Sequence, residues 1–359
     1  AAFYLAAGCL SLPAGILSDR LGRRRLALAG TLLMAVGLGL LASSRSYIHL
    51  AGVYLILGIG IAAFGPTMMS WVAEIAPATH LGRAYGWYTT ALFCGMGLGP
   101  AAGGTLAKDL GFTSVYLIGG VLMAVNLLLV GRLVPGAPAR NRPGTQRRDS
   151  RQWRSVLSNR ALIGCWAGTL GTCIVSGTFF TFLPLQAAAQ GLDVSRIGVI
   201  FLVQSAANAL ARIPLGAASD RLGRRPLQAL IGILLITASI SAFAAARQFD
   251  GFMAAALALG TSNALAFTAI GALIPETVPT ALRGLAMGGY NTSIYLGLMA
   301  GAFGLGPAVE ATGLGGAFIL AGLLNLLLAG FFHSAMRRFQ TVSEKTGQGP
   351  QRRRANRDM

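Results

Sequence analysis

The chain has 359 residues, 54% of them hydrophobic and only 11% charged, and a formal net charge of +18. A soluble chain of this size carries about a quarter charged residues, so this composition excludes an ordinary soluble enzyme and implies a surface facing lipid. The positive charge sits between long apolar runs and not on an aromatic-interleaved basic fold, which argues against a nucleic-acid partner.

Taken in order, the apolar segments predict eleven membrane-crossing helices, at about 1–18, 25–42, 50–72, 83–107, 113–133, 161–187, 196–218, 226–246, 251–274, 283–306 and 314–335. Each is near or above the roughly 18–20 residues that span a bilayer. The first segment lacks a basic leader and runs straight into Ser18-Asp19-Arg20, so it is read as a span and not as a signal peptide. Pro135–Arg160 is rich in proline and arginine and predicts a flexible linker between two halves. The basic stretch after residue 336 predicts a disordered tail. The fold expected is therefore an all-α membrane protein: a first half at 1–134, a linker at 135–160, a second half at 161–336 and a tail at 337–359.

Alternating these spans across a bilayer places Arg45, Lys108, Arg196 and Arg247 on one side and Arg212 inside a span; all other Lys and Arg fall on the opposite side. The positive-inside rule makes that basic side, with the linker and C-terminus, cytoplasmic in a cell (inner or plasma) membrane. Only Lys108 and Lys345 are lysine, which points to a GC-rich bacterial genome. Cys9, Cys94, Cys165 and Cys173 lie in apolar helices without a CxxC pair and read as small buried apolar residues, with no disulfide or metal expected.

An internal repeat sets the architecture. Pro13, Gly15, Asp19, Arg20, Leu21, Gly22, Arg23 and Arg24 recur 201 residues later as Pro214, Gly216, Asp220, Arg221, Leu222, Gly223, Arg224 and Arg225. At a spacing of 202, Gly58, Glu74, Pro77, Gly82, Gly86, Gly95, Gly99 and Gly104 recur as Gly260, Glu276, Pro279, Gly284, Gly288, Gly297, Gly301 and Gly306. Two parallel, pseudo-symmetric bundles of five and six helices follow. Because two spans precede Asp220 within its half and one precedes Asp19, the symmetry leads us to expect one further helix ahead of this sequence; the visible helices are therefore numbered 2 to 12.

The loop Gly15–Arg25, repeated at Gly216–Arg225, resembles the signature loop of the major facilitator superfamily, and the resemblance covers nearly the whole chain. It implies two six-helix halves that rock about a midplane site, driven by solute or ion gradients. It also implies that Asp19 and Asp220 latch the halves on the cytoplasmic side, Asp19 near Arg283 and Gly284, Asp220 near Arg83, with the loop arginines pairing with Glu74, Glu276 or lipid phosphate. The alternative for these loops is topology and anchoring alone. In helix 5, Gly86, Gly95, Gly99, Pro100, Gly103 and Gly104 resemble the antiporter pattern of the proton-coupled exporters; close helix packing is the plainer role for the same glycines. A buried arginine that many such exporters carry in helix 4 is replaced here by Tyr54.

All eleven acidic residues stand at helix ends, in loops or in the tail, so protons are a candidate coupling ion without a buried carboxylate in view. Arg212 is the one charge within a span; it either snorkels to the interface or faces the cavity and favours an anionic or polar group. A polar and aromatic stripe on helix 7, Trp166, Thr169, Thr172, Cys173, Ser176 and Phe180, follows one helical face. Further candidate substrate contacts are Tyr54, Phe64, Met68, Gln204, Asn208, Asn263, Asn291 and Tyr295. The set fits an amphipathic, drug-like molecule exported by a monomer; import of a sugar or organic acid, or a truncated non-transporting product, are the alternatives. No catalytic cluster, metal site, cofactor or phosphate-binding loop is expected. If Asp19 is a latch, Asp19→Asn lowers transport or shifts the inward–outward balance, read from cysteine accessibility on the two sides; unchanged kinetics and accessibility would remove that role.

Overall fold

The computed structural model describes residues 2–75, 81–134, 157–222, 224–279 and 282–345. Every regular element among them is helical. Among the described residues ten helical elements form: α1 (Ala2–Leu21), α2 (Arg23–Ser43), α3 (Tyr47–Ile75), α4 (Leu81–Leu133), α5 (Arg160–Ala189), α6 (Val194–Leu222), α7 (Arg225–Ala245), α8 (Phe249–Thr277), α9 (Arg283–Met299) and α10 (Gly306–Lys345), with a π-helical turn at Ala300–Gly304 between the last two; α4 and α10 are each a pair of helices joined across a non-helical glycine, Gly111 and Gly313. Eight of these helices contain stretches long and apolar enough to cross a bilayer. In such a setting backbone groups pair within each helix. The hydroxyls follow suit: Thr31, Thr67, Thr169, Thr172 and Thr178 each donate to the carbonyl four residues back.

The elements depart from the predicted spans in three places. The segments at 83–107 and 113–133 are two helices, as predicted, but they meet without a loop at Gly111, whose non-helical φ of 79° is open to glycine alone at little cost. Lys108, Asp109 and Leu110 therefore stay helical, with their side chains exposed. The signature loops are shorter than expected, since α1 runs to Leu21 and α6 to Leu222 and each places its aspartate in a last helical turn. Finally, α10 continues to Lys345, past the predicted end at 335 and into the segment expected to be a disordered tail. No glycine or proline interrupts Ala335–Lys345. The linker from Pro135 to Val156, Gly223 and the remainder of the tail lie outside the described residues.

Helices α1–α4 form one bundle and α5–α10 the other, meeting along two seams, α4 against α6 and α1 against α9. The second bundle has a continuous apolar core in which Phe179, Phe243, Phe252 and Phe318 contact one another by their rings. At its centre stands α5, the most buried of the spans. Asn159 caps it, accepting from the Leu162 N–H at 3.2 Å, and donates from its amide to the Thr277 carbonyl at the end of α8 at 2.7 Å.

Among the described residues the first bundle has small clusters, Ala27 with Met68, Val130 and Val134, and Leu41 with Val53 and Leu57. The repeat explains the contrast. Gly297 and Gly301 of the second half lie directly on α5: a Cβ on Gly301 would come within 2.1 Å of the Ile174 carbonyl oxygen, and one on Gly297 within 2.6 Å of Leu170 O. Their mates Gly95 and Gly99 meet nothing within 4 Å. Among the described residues no helix takes in the first half the place that α5 takes in the second. The cysteines follow the same division: Cys165 and Cys173 are buried as expected, whereas Cys9 and Cys94 are exposed, because the faces of α1 and α4 that carry them have no covering helix.

Substituting alanine at Gly301 is expected to destabilise this chain by about 1–3 kcal/mol, since a backbone oxygen cannot step aside. Gly99→Ala is expected to leave stability unchanged. Thermal unfolding of the two purified variants in detergent compares them directly, and equal melting temperatures would contradict the packing difference.

Candidate functional site

The polar residues of the second half lie on α5, α6, α8 and α9. Gln204, Asn208 and Arg212 stand four residues apart on α6 and so share one face. Arg212 donates from Nε to the Asn208 Oδ1 at 2.9 Å. Gln204 and Asn208 are buried, Asn208 with 2% of its surface exposed, while Arg212 keeps partial access. Gly260 of α8 packs onto the Gln204 carbonyl and the Asn208 amide nitrogen, which presses this polar row against its neighbouring helix. Tyr290 of α9 stands in the neighbourhood of Arg212 and of Cys165 and Cys173 of α5. Trp166 of α5 donates its indole N–H to the Ala286 carbonyl at 3.0 Å, and its ring covers Gly289, where any Cβ would overlap it. Asn263 of α8 is buried with its side-chain oxygen unpaired.

Other sequence-derived candidates sit elsewhere. Thr169 and Thr172 are fully buried and satisfied by their own helix, so they belong to the core. Ser176 is half-buried and donates to Thr172 O. Phe180 stacks on Phe201 of α6, ring centres 6.0 Å apart and 11° from parallel. Phe64 and Met68 pack into the small cluster with Ala27 and Val130. Tyr54 is 42% exposed and stands near Tyr4 and Tyr116. Asn291 is half-buried on α9. Tyr295 lies on the seam between halves, hydrogen-bonded to Ser11 and close to Gly8 and Gly65. Sequence reasoning missed Tyr290 and Gly289. Their repeat mates are Tyr88 and Trp87, and no motif marks either position.

At the arginine-rich end, α1 and α2 are separated by Gly22 alone, with φ 90°. Arg23 donates to the Ser18 hydroxyl and Arg24 to the Gly131 carbonyl at the end of α4. In the second copy, Arg225 pairs with Glu276 at the end of α8. These bonds tie each loop to its own bundle. The side chains of Gly15, Asp19, Arg20, Glu74, Arg83, Gly86, Asp220, Arg221, Arg283 and Gly284 lie outside the described ones, and the latch expectation falls on them.

The opposite end joins the two halves. Lys108 of α4 reaches Asp193, just before α6, at 3.6 Å. Asp193 also accepts from the Arg196 N–H at 2.9 Å, capping α6, and the Arg196 guanidinium lies 5.8 Å from the centre of the Phe249 ring. Behind the ion pair the backbones touch: a Cβ on Gly104 would lie 2.6 Å from Val194 O, and one on Gly198 2.6 Å from Pro100 O. Of the helix-5 signature, then, Gly104 makes the seam, Gly103 stands near Val115, and Gly95 and Gly99 face open space. Gly97, outside the signature, abuts Ser205. Among the described residues no group of three or more His, Cys, Asp or Glu side chains comes together to hold a metal.

This arrangement is matched by comparison with known proteins. The family model described as Major Facilitator Superfamily matches residues 1–195 and 166–356. The chain belongs to the Major Facilitator Superfamily. Among its superfamily relatives are an uncharacterised MFS-type transporter of Methanocaldococcus jannaschii, 24% identical over 91% of this chain and 85% of the relative, and a 3-(3-hydroxy-phenyl)propionate transporter of Escherichia coli, 26% identical over 81% and 72%. Multidrug resistance protein MdtG of Salmonella typhimurium is 27% identical over 62% of this chain and 55% of its own. The superfamily fold appears in solved structures as well. A POT family transporter in complex with 5-aminolevulinic acid superposes with a TM-score of 0.77 at 12% identity, covering 91% of this chain and 85% of that one. A human organic anion transporter superposes with a TM-score of 0.69 at 18% identity, covering 92% and 82%.

The Asp193 carboxyl is held below the usual range, first by the Arg196 N–H and then by the Lys108 ammonium. Its depressed value means that its contribution to closing this end is complete above the unfolded carboxylate pKa of about 3.9 and is lost as pH falls through the lower folded value. Closure is therefore expected to be constant from neutral pH down to about 5. Asp193→Asn is expected to raise maleimide labelling of Ser205→Cys, behind the seam, by about a few-fold, the scale of an exposed ion pair. Labelling that varies between pH 7 and 5, or ignores Asp193→Asn, would contradict this account.

Proposed function

We propose that this superfamily member is a secondary transporter that exports amphipathic small molecules by alternating access. The observation that carries the reading is the placement of the polar–aromatic cluster around Arg212 beside the α4–α6 seam, whose far end is held by Lys108 and Asp193. A solute held at mid-depth is released on alternate sides when the two halves rock and such a seam opens and closes. A cluster of mixed polar and aromatic groups that includes a guanidinium favours molecules with one polar end and an apolar body. Resemblance to MdtG and the Gly-Pro pattern of α4 support outward transport, with protons as the coupling ion. The basic end would face the cytoplasm of a bacterial-type cell membrane by the positive-inside rule.

Import of an aromatic acid is the second reading, favoured by Arg212 together with the 3-(3-hydroxy-phenyl)propionate transporter among the relatives. Purified protein in proteoliposomes separates the two. With an imposed proton gradient, export predicts uptake of a rhodamine dye into vesicles where the arginine-rich end faces outward. Import predicts the reverse polarity, with an aromatic acid as solute. Flux of neither, above that of protein-free vesicles, would count against transport by this chain.

A further inference from the structure

The turn between α2 and α3 holds a cavity that the transport reading does not use. It measures about 250 Å³ and lies between the end of α2 and the start of α3. Ser43, Ser44 and His49 line it at the helix ends, and Leu40, Val53 and Ile56 line it further in. Both helices are long and apolar enough to cross a bilayer. Ile56 is nine residues past Tyr47, about 13 Å along the helix axis, well inside a hydrocarbon layer roughly 30 Å thick. Tyr47 is 92% exposed at the outer end, and tyrosine favours the headgroup level. The cavity therefore runs from polar at the interface to apolar below, which is the profile of a phospholipid. Its floor is open: Gly52 also lines it, and a Cβ there would meet nothing within 4 Å.

Charge gives the cavity a preference. Arg45 stands in the turn beside Ser44 and is exposed. Among the described residues no carboxylate pairs with it, whereas Lys108, expected at the same end of the bundle, is answered by Asp193 at 3.6 Å. Ser43 and Ser44 both donate their hydroxyls to Leu40 O, at 3.1 and 2.9 Å. They present only lone pairs to the cavity, so the donors left for an anion are the Arg45 guanidinium and the His49 ring.

We propose that this cavity binds one anionic phospholipid from the leaflet opposite the arginine-rich end, with its phosphodiester at Arg45 and His49 and an acyl chain along Gly52, Val53 and Ile56. A guanidinium matches phosphate oxygens with a planar fork of donors. The proposal needs α2 and α3 to span a bilayer and is independent of the solute and direction of transport.

The test places the purified full chain in phosphatidylcholine nanodiscs carrying a trace of phosphatidylglycerol, or of phosphatidylcholine, with a photoreactive diazirine on one acyl chain. Labelled peptides are located by mass spectrometry. Labelling within residues 40–56 is expected to favour phosphatidylglycerol by about fivefold, the scale of one Lys or Arg beside anionic lipid. Arg45→Gln removes the preference and Arg45→Lys retains it. Gly52→Leu, which fills the floor, lowers labelling by both lipids, and excess soluble glycerol phosphate leaves labelling unchanged. Melting temperatures in detergent verify that each variant is folded, and Gly52→Ala takes the place of Gly52→Leu if the latter is not. Equal labelling by the two lipids would mean an unselective lipid annulus and overturns the proposal. So does a preference that survives Arg45→Gln, or labelling indifferent to filling at Gly52, which would mean surface attraction without a site. Displacement by glycerol phosphate would make this a site for soluble anions and overturns the lipid assignment.

Discussion

The rest of the structure depends on one constraint: within a bilayer no water is present to accept or donate a backbone hydrogen bond. Helices are then the only elements available, and apolar burial no longer drives them together. Close approach of backbones does. The second half shows this where Gly177 sits beneath the Leu298 carbonyl and Gly301 beneath that of Ile174, so that α5 and α9 interlock without intervening side chains. The seam between halves uses the same device at Gly104 and Gly198.

The two halves share a repeat and differ in completeness of packing. In the second, α5 lies between α9 and α10 and gathers the phenylalanine core around it. In the first, the corresponding glycines look onto open space and the core is divided into small clusters. The polar cluster is one-sided for the same reason: Trp166, Asn208, Arg212 and Tyr290 all belong to the second half, and Tyr295 and Ser11 connect it to the first.

Much of the fold was legible in the sequence because hydropathy is a local property. The spans, the doubled Asp-Arg-Leu-Gly-Arg-Arg loop and the two-bundle organisation follow from runs and spacings alone. Superfamily membership, expected from that loop, is shown by the family model. Side-chain roles were less legible, since they depend on which helix stands opposite. Thr169 and Thr172 share a face with Trp166, yet that face turns into the core as α5 passes between its neighbours. Gly95 and Gly99 read as packing positions, but the packing needs a partner helix. The Lys108–Asp193 pair spans a long stretch of sequence between two loop-end residues with no motif around either, and nothing short of three-dimensional placement joins them. Arg212 was visible as an oddity; Tyr290 on α9 was not, because no motif surrounds it.

Asn159 has a mechanical meaning. Its one side chain both caps α5 and grips the last turn of α8 through Thr277. A tug arriving from the preceding segment is therefore shared with α8 before it reaches the first turn of α5. The central helix of the second half is thereby held to α8 at its start, much as a cable clamp spares a soldered joint.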